Sequence, residues 1–177
     1  MYLFLPGNNK ENKAWCELLK DSFPAQKKEM LYYDHWNGLG NIVWDTELEK
    51  IKRLGITEKT VVVGKSAGCI LGMKAQNLGY LDVSCFVFIG FPYYWAVNRG
   101  DNVDSLIEGL HTRTLIIQKP HDPVIGFNEL RVIVEKKNSS CIQMLEYRRE
   151  GEDDSNHDYD DIPYLIERIQ EFSGLAV

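Results

Sequence analysis

A serine between small residues stands where an apolar run meets a segment with helical spacing. Ser66 is the centre of the pentapeptide GKSAG, residues 64–68, which follows three valines. Glycines two residues away on either side suit a sharp strand-to-helix turn, because larger side chains there would collide with neighbouring backbone. The positive end of the helix and the Ala67 N–H would then stabilise a developing oxyanion. The pattern predicts that Ser66 is a nucleophile.

Other interpretations of glycines in this chain lead to different proteins. A pattern of five common residues also arises by chance in a small fraction of chains of this length. Gly-Lys-Ser ends a phosphate-binding loop as well, but that loop needs a glycine where Lys59 stands, and residues 61–63 read as a strand. Gly38 and Gly40 lack the third glycine of a dinucleotide fingerprint, because Val43 occupies its place. Neither nucleotide-binding motif is complete.

A nucleophilic serine needs a base, which in this arrangement comes from a loop after the last strand. His157 is the only histidine after position 121, and it lies between the last apolar run and the closing helical segment. A carboxylate in the loop after the penultimate strand would orient the imidazole, and Asp122 occupies that place. The order Ser66, Asp122, His157 is the order described for this kind of serine turn.

Plainer roles for both partners stay open at this point. His157 would be an ordinary exposed loop residue, and Asp122, close to two prolines, would be a turn or cap residue. Three further carboxylates crowd the histidine in sequence and are rival orienting groups: Asp154, Asp158 and Asp160. The acidic segment 150–161 also has two interpretations, a solvated loop before a helix or, less in keeping with its spacing, a calcium loop.

The elements that must position these residues alternate between two hydrophobic periods. Six short runs rich in β-branched and aromatic residues read as strands: Tyr2 to Leu5, Met30 to Tyr33, Val61 to Val63, Phe86 to Ile89, Leu115 to Ile117 and Ile142 to Leu145. Segments with helical spacing separate them, and a last one closes the chain at about residues 162–172. The 177 residues thus give about 30 per strand-plus-helix unit.

This alternation predicts an α/β protein: one three-layer α/β/α domain over residues 1–177, with a mainly parallel six-stranded sheet. The continuously apolar runs at 61–63 and 115–117 belong inside the sheet, covered by helices on both faces. The alternating run at 142–145 suits an edge strand.

Composition narrows the class of partner. The chain is 44% hydrophobic and carries a net charge of −6, which argues against a nucleic-acid surface built from clustered cations. The N-terminus lacks the pattern of a signal peptide, and no apolar run approaches membrane-spanning length. The four cysteines show neither CxxC spacing nor a metal-ligand cluster. We expect a cytoplasmic protein without membrane contact, metal or other cofactor; the sequence does not indicate an oligomeric state.

The motif and the order of its partners resemble the α/β-hydrolase superfamily over nearly the whole chain, in particular small, nearly lidless serine hydrolases such as the retinoblastoma-binding group. The resemblance implies that the segment Pro-Gly-Asn-Asn at 6–9 is the oxyanion loop, with Asn8 or Asn9 supplying the second backbone donor. The chain departs from the commonest pattern in three ways. No histidine precedes Gly7, Lys65 stands where histidine is frequent, and the two N-terminal strands of larger members are missing.

These features predict hydrolysis of a small carboxylic ester, thioester or activated amide through an acyl-Ser66 intermediate. Candidate contacts for this small-molecule acyl substrate are Lys65, Phe91, Tyr93 and Trp95, although aromatic clusters also serve as ordinary packing. About thirteen residues separate the fourth strand from the next predicted helix, too few for a helical cap. A hydrolase-fold binding or adaptor protein with little catalysis is the alternative from another class.

Overall fold

The computed structural model describes residues 1–24, 27–38, 40–56, 60–137, 140–151 and 153–174. Its strands are β1 Tyr2–Leu5, β2 Lys28–Met30, β3 Val61–Lys65, β4 Cys85–Ile89, β5 Thr114–Gln118 and β6 Ile142–Glu146. Its helices are α1 Lys10–Ser22, α2 Trp44–Leu54, α3 Ala67–Asn77, α4 Tyr93–Asn98, α5 Val103–Glu108, α6 Phe127–Lys136 and α7 Ile162–Ser173. A short 3₁₀ helix, Asp34–Asn37, follows β2.

The six strands form one parallel sheet in the order β2-β1-β3-β4-β5-β6. The predicted parallel α/β class is therefore confirmed, with β3 inside the sheet and β6 at its edge. Alternate residues of β3 enter opposite cores, with Val62 on the side of α2, α3 and α6, and Val61 and Val63 on the side of α1 and α7. Helices on both faces explain why the inner strands are continuously apolar.

Two elements differ from the sequence prediction. The second strand is Lys28–Met30 rather than 30–33. Beyond it one more bond joins the Leu31 N–H to the Phe4 carbonyl, before the chain turns away from the edge. The segment after β4 contains α4, Tyr93–Asn98, where no helix was predicted, because six residues with one buried alanine carry little helical periodicity.

Two further features of the structure concern membrane-spanning segments and the cysteines. Among the residues placed by the structure, no helix combines the length and the apolar character needed to cross a bilayer. Three of the four cysteines, Cys16, Cys69 and Cys85, are buried free thiols.

Helix α3 begins in close contact with the end of β1 and with the end of β3, and a glycine makes each approach possible. A Cβ on Gly68 would lie 1.9 Å from the Leu5 carbonyl oxygen and 2.8 Å from that of Pro6. A Cβ on Gly64 would lie 2.9 Å from the backbone of Cys69 and Gly68. Both neighbours are backbone, so neither clash can be relieved by a side-chain rotation. The spacing of these glycines fixes where the serine turn meets the 6–9 loop.

We predict that Gly68→Ala lowers the free energy of unfolding by about 3 kcal/mol or more, at the upper end of overpacking costs, because helix and strand must separate. The matched control is Gly72→Ala, one turn later, where the new Cβ meets only the Phe86, Phe88 and Leu5 side chains at 3.3 to 3.6 Å. That variant should change stability by about 1 kcal/mol or less. Urea unfolding of both proteins measures the difference, and equal losses would contradict the proposed backbone contact.

Candidate active site

Ser66 occupies a strained turn between β3 and α3. Its φ of 49° and ψ of −117° make it the one non-glycine residue with positive φ in the described part of the chain. Two bonds hold it there: the Ser66 N–H donates to the Ile89 carbonyl at 3.0 Å, and the Ser66 carbonyl accepts from the Cys69 N–H at 2.8 Å. Such strain persists only where the surroundings enforce it, and it clusters at functional sites.

A buried carboxylate and an imidazole meet at the neighbouring strand ends. His157 Nδ1 lies 2.7 Å from Asp122 Oδ2 and 2.9 Å from Oδ1. Asp122 also accepts the Val124 N–H at 2.9 Å and the Tyr159 hydroxyl at 2.8 Å. Burial on its own raises the pKa of the Asp122 carboxyl, but these bonds and the His157 partnership outweigh it and lower the pKa below its usual value. Asp122 is therefore an anion that orients His157.

The second imidazole nitrogen of His157, Nε2, is the candidate proton acceptor. Within the described residues, Nε2 is buried and has no hydrogen-bond partner, so a bond from Ser66 is not formed in this arrangement. The two residues nevertheless lie at the same strand end. His157 Cε1 lies 2.9 Å from the position of a Cβ on Gly90, and the Ser66 N–H bonds to the adjacent residue Ile89. Catalytic hydrogen bonds are often long without substrate and tighten when it binds.

The His157 imidazole is suited to accept a proton. Burial lowers its pKa most, the Lys65 charge lowers it further, and the Asp122 hydrogen bond and charge oppose both effects. The net result is a pKa below the usual value, so the imidazole is neutral at neutral pH. Since Nδ1 is committed to Asp122, the free lone pair is on Nε2.

The expected oxyanion donors lie on both sides of the serine turn. Ala67 is the first residue of α3, so its N–H has no acceptor within the helix. The 6–9 loop is held by Asn8, whose Oδ1 accepts the Ile42 N–H at 2.8 Å and whose carbonyl accepts His35 Nε2 at 2.7 Å. Asn9 precedes α1 as its cap residue. The close approach of Gly68 to Pro6 brings this loop beside the turn, and the oxyanion role of these residues stays a prediction.

Two of the predicted substrate contacts, Phe91 and Lys65, have buried side chains, and a substrate role for them stays a prediction. Phe91 has no exposed surface: its ring packs on Phe88, and its N–H donates to Gln118 Oε1 at 2.7 Å. Lys65 is 3% exposed, and its Nζ donates to the His157 carbonyl at 2.8 Å. The sequence signals that suggested a pocket, an aromatic after a strand and a cation beside the serine, here serve packing and loop support.

The other two predicted contacts are partly exposed but already engaged. The Tyr93 hydroxyl donates to Asp104 Oδ1 at 2.7 Å. Trp95 packs edge-on against Trp44, and the Arg99 guanidinium lies 4.8 Å from its ring centre. A substrate role for Tyr93 and Trp95 stays a prediction.

An open cleft of about 420 Å³ adjoins His157 on the side of α1. It is lined by Asn9, Glu11, Asn12, Trp15, Lys65, His157 and residues 158–160. The indole of Trp15 is fixed by a bond from Nε1 to the Tyr159 carbonyl at 2.7 Å. The sequence does not indicate that α1 lines this cleft, because Trp15 has the pattern of one more apolar residue of an amphipathic helix.

Two residues that support the site were also missed. Tyr159 is fully buried, donates its hydroxyl to Asp122 and accepts the Lys119 N–H at 3.0 Å. Lys119, 1% exposed, donates Nζ to the Asp153 carbonyl at 2.7 Å and to Asn156 Oδ1 at 2.9 Å. Both positions flank the predicted pair, Tyr159 two residues after His157 and Lys119 three before Asp122, and this proximity was the available signal.

Acidic residues of the segment 150–161 form a helix cap, an ion pair and hydrogen bonds within the loop. Asp161 caps α7 by accepting the Tyr164 N–H at 2.9 Å, and it pairs with Arg149 at 2.7 Å. Asp153 accepts the Ser155 N–H and hydroxyl. Glu152 lies outside the described residues. Among those that are described, no group of three or more His, Cys, Asp or Glu residues is arranged to hold a metal ion.

Comparisons with known proteins relate this geometry to solved structures. A scan against protein-family models and a search of curated proteins gave no match. A protein from Pectobacterium atrosepticum described as a YdeN-like hydrolase superposes with a TM-score of 0.69 at 15% identity, covering 99% of this chain and 91% of that one. Mouse α/β hydrolase domain-containing protein 10 gives 0.63 at 13% identity, over 96% and 88%. An esterase from Exiguobacterium antarcticum gives 0.61 at 13% identity, over 98% and 92%.

These similarities extend over almost the full length of each partner, at identities too low to carry an activity. They show that the chain has the α/β-hydrolase fold. The narrower resemblance to the retinoblastoma-binding group stays a prediction.

We predict that Tyr159→Phe lowers the free energy of unfolding by about 1 to 3 kcal/mol, because Asp122 loses a donor and the buried Lys119 N–H loses its acceptor. Tyr164→Phe, at a partly buried tyrosine of α7, is the control and should change stability by about 0.5 kcal/mol or less. Urea unfolding compares them. A Tyr159→Phe protein as stable as the control variant would contradict the role of this hydroxyl.

Proposed function

We propose that this protein is a serine hydrolase with Ser66 as nucleophile, His157 as base and Asp122 as orienting carboxylate. The observation that carries the proposal is the Asp122–His157 pair. It leaves a buried Nε2 that has no hydrogen-bond partner in the described part of the chain, next to the strand end that holds the strained Ser66 turn. The order of the three residues along strand ends of a parallel sheet, and the hydrolase descriptions of its structural neighbours, support the same conclusion.

The proposed reaction has two steps, acylation and then deacylation of Ser66. Ser66 Oγ attacks the acyl carbon while His157 Nε2 takes the hydroxyl proton, and the resulting imidazolium is stabilised by Asp122. The Ala67 N–H and a backbone N–H of Asn8 or Asn9 hold the oxyanion. His157 then gives its proton to the departing alcohol, thiol or amine. A water molecule repeats the sequence on the acyl-Ser66 ester and releases the acid.

The proposed substrate is small. The cleft beside His157 is open and of about 420 Å³, and the segment after β4 carries only the six-residue α4. Since each buried methylene contributes about 0.8 kcal/mol, a shallow site gains little from a long acyl chain. Carboxylic esters, thioesters and activated amides with short acyl groups fit this site.

One observation favours a second candidate function. Within the described residues His157 Nε2 bonds to nothing, so the serine is not activated in the arrangement seen here. A binding or adaptor protein that keeps the hydrolase fold without turnover has no need for that bond. The two functions differ in whether Ser66 reacts.

We predict that Ser66→Ala lowers kcat for p-nitrophenyl acetate and butyrate by about a million-fold, because loss of a triad nucleophile has this effect. Rates of purified wild-type and variant proteins, with circular dichroism to verify folding, decide it. If the variant keeps most of the wild-type rate, Ser66 is not the nucleophile. If the wild type itself is inactive on all such esters, the binding function is favoured.

We further predict that Asp122→Asn lowers kcat by about a thousand-fold or more, because the imidazole loses its orienting anion and favoured tautomer. Asp154→Asn removes the same chemical group from the loop that carries His157, but Asp154 makes no bond to the imidazole, so kcat should change by about two-fold or less. The steady-state rates of the two variants are compared on the same ester. If Asp122→Asn left kcat almost unchanged while Asp154→Asn lowered it strongly, the orienting carboxylate would instead belong to the acidic loop.

A further inference from the structure

A buried lysine directly precedes the candidate nucleophile and contacts the loop that carries the candidate base. Lys65 is the last residue of β3, and its side chain runs under His157 rather than toward solvent. Its Nζ donates to the His157 carbonyl at 2.8 Å and lies 4.5 Å from the centre of the Tyr159 ring. Burying a charged lysine to this extent destabilises the folded state unless hydrogen bonds or opposite charges compensate for the lost hydration.

Among the described residues, no carboxylate forms an ion pair with Lys65. Its positive charge therefore acts on several neighbouring groups of the site rather than on one partner. Burial lowers the Lys65 pKa most, and the Asp122 carboxylate opposes this, which brings the pKa to about 8. The ammonium group is therefore charged at neutral pH. Removal from water strengthens its electrostatic effect on neighbouring groups.

The charged groups around the His157 imidazole come from four parts of the chain. Asp122 bonds to Nδ1 from the loop after β5, Asp158 follows His157 in its own loop, and Glu11 of α1 and Asp160 line the adjoining cleft. These four are carboxylates. Lys65 is the cation that acts on the imidazole, and its charge disfavours the imidazolium form.

Building on the proposed function, we propose that Lys65 is a positioning residue that holds the His157 carbonyl and keeps the imidazole in its neutral, proton-accepting form. The anions around His157 favour the imidazolium, which cannot accept the Ser66 proton. Burial of the imidazole opposes them most, and the Lys65 charge adds to that effect, so the base is neutral at neutral pH. Asp122, in contact with Nδ1, still stabilises the imidazolium once the reaction creates it.

A second buried lysine supplies the matched control. Lys119 holds the same loop, through the Asp153 carbonyl and Asn156 Oδ1, and its Nζ lies 5.4 Å from the Tyr159 ring centre. It bonds to the loop before His157, whereas Lys65 bonds to His157 itself. Loss of Lys119 therefore tests loop support without the charge beneath the imidazole.

The test is an NMR titration of the histidine imidazole protons in the full chain. His157 is assigned by the signal that disappears in His157→Gln, which leaves those of His35, His111 and His121. In Lys65→Met the His157 midpoint should move to higher pH than in the wild type, whereas in Lys119→Met it should stay near the wild-type value. A His157 midpoint that is unchanged or lower in Lys65→Met overturns the proposal.

The wild-type titration provides a test even if Lys65→Met does not fold. The His157 signal should show a second, smaller inflection near pH 8, where Lys65 loses its proton. A single inflection over the whole pH range in which the protein stays folded contradicts a Lys65 ammonium that titrates next to the imidazole. These NMR results do not depend on turnover, so they decide the position of Lys65 even if the protein hydrolyses no ester.

Kinetics then tests the role in the reaction. In Lys65→Met the acidic limb of the kcat/KM profile should shift to higher pH, and kcat should fall by about ten-fold, as expected from the loss of one charge-assisted hydrogen bond. KM should stay near the wild-type value, since Lys65 is buried. A rise in KM with unchanged kcat and pH profile would instead make Lys65 a substrate contact and overturn the positioning role.

Discussion

The burial of one carboxylate organises the end of the sheet that carries the candidate active site. Asp122 is 4% exposed, and an anion removed from water to this extent is stable only if donors surround it. Those donors are the His157 imidazole, the Tyr159 hydroxyl and the Val124 N–H. Two of the three come from one loop, so satisfying Asp122 also fixes the position and ring orientation of His157. The geometry of the candidate base is thus a consequence of the hydrogen-bond requirement of a buried charge.

Positive charge beneath the same loop completes the arrangement. Lys65 and Lys119 are nearly fully buried, and both donate to backbone carbonyls of the segment that carries His157. The Tyr159 ring lies within 4.5 and 5.4 Å of the two ammonium groups. We infer that these ammonium groups favour one conformation of the loop, because any other would leave a buried ammonium group without its hydrogen-bond acceptors. The loop after β6 contributes only Tyr147 and Tyr159 to the hydrophobic core, and these polar contacts add to their packing.

The parts predicted from sequence are those that local rules determine. The parallel sheet follows from the alternation of two hydrophobic periods, and the Ser66 turn from glycines that the backbone approach at Leu5 demands. Asp122 and His157 follow from the chain order of loops at one sheet edge. The sequence does not predict surroundings that depend on packing between distant segments. The bond of the Phe91 N–H to Gln118 of the neighbouring strand is one example, and the bond of the buried Lys65 to the His157 loop is another.

Covalent labelling of the intact protein with a fluorophosphonate, read by mass spectrometry and peptide mapping, tests directly whether Ser66 is the nucleophile. We expect one phosphonyl group per chain in the wild type, attached to Ser66. Ser66→Ala should take up none, and His157→Gln should react far more slowly, because the hydroxyl then lacks a base. No adduct on correctly folded wild-type protein, or an adduct on a residue other than Ser66, would contradict the assignment of Ser66 as the nucleophile.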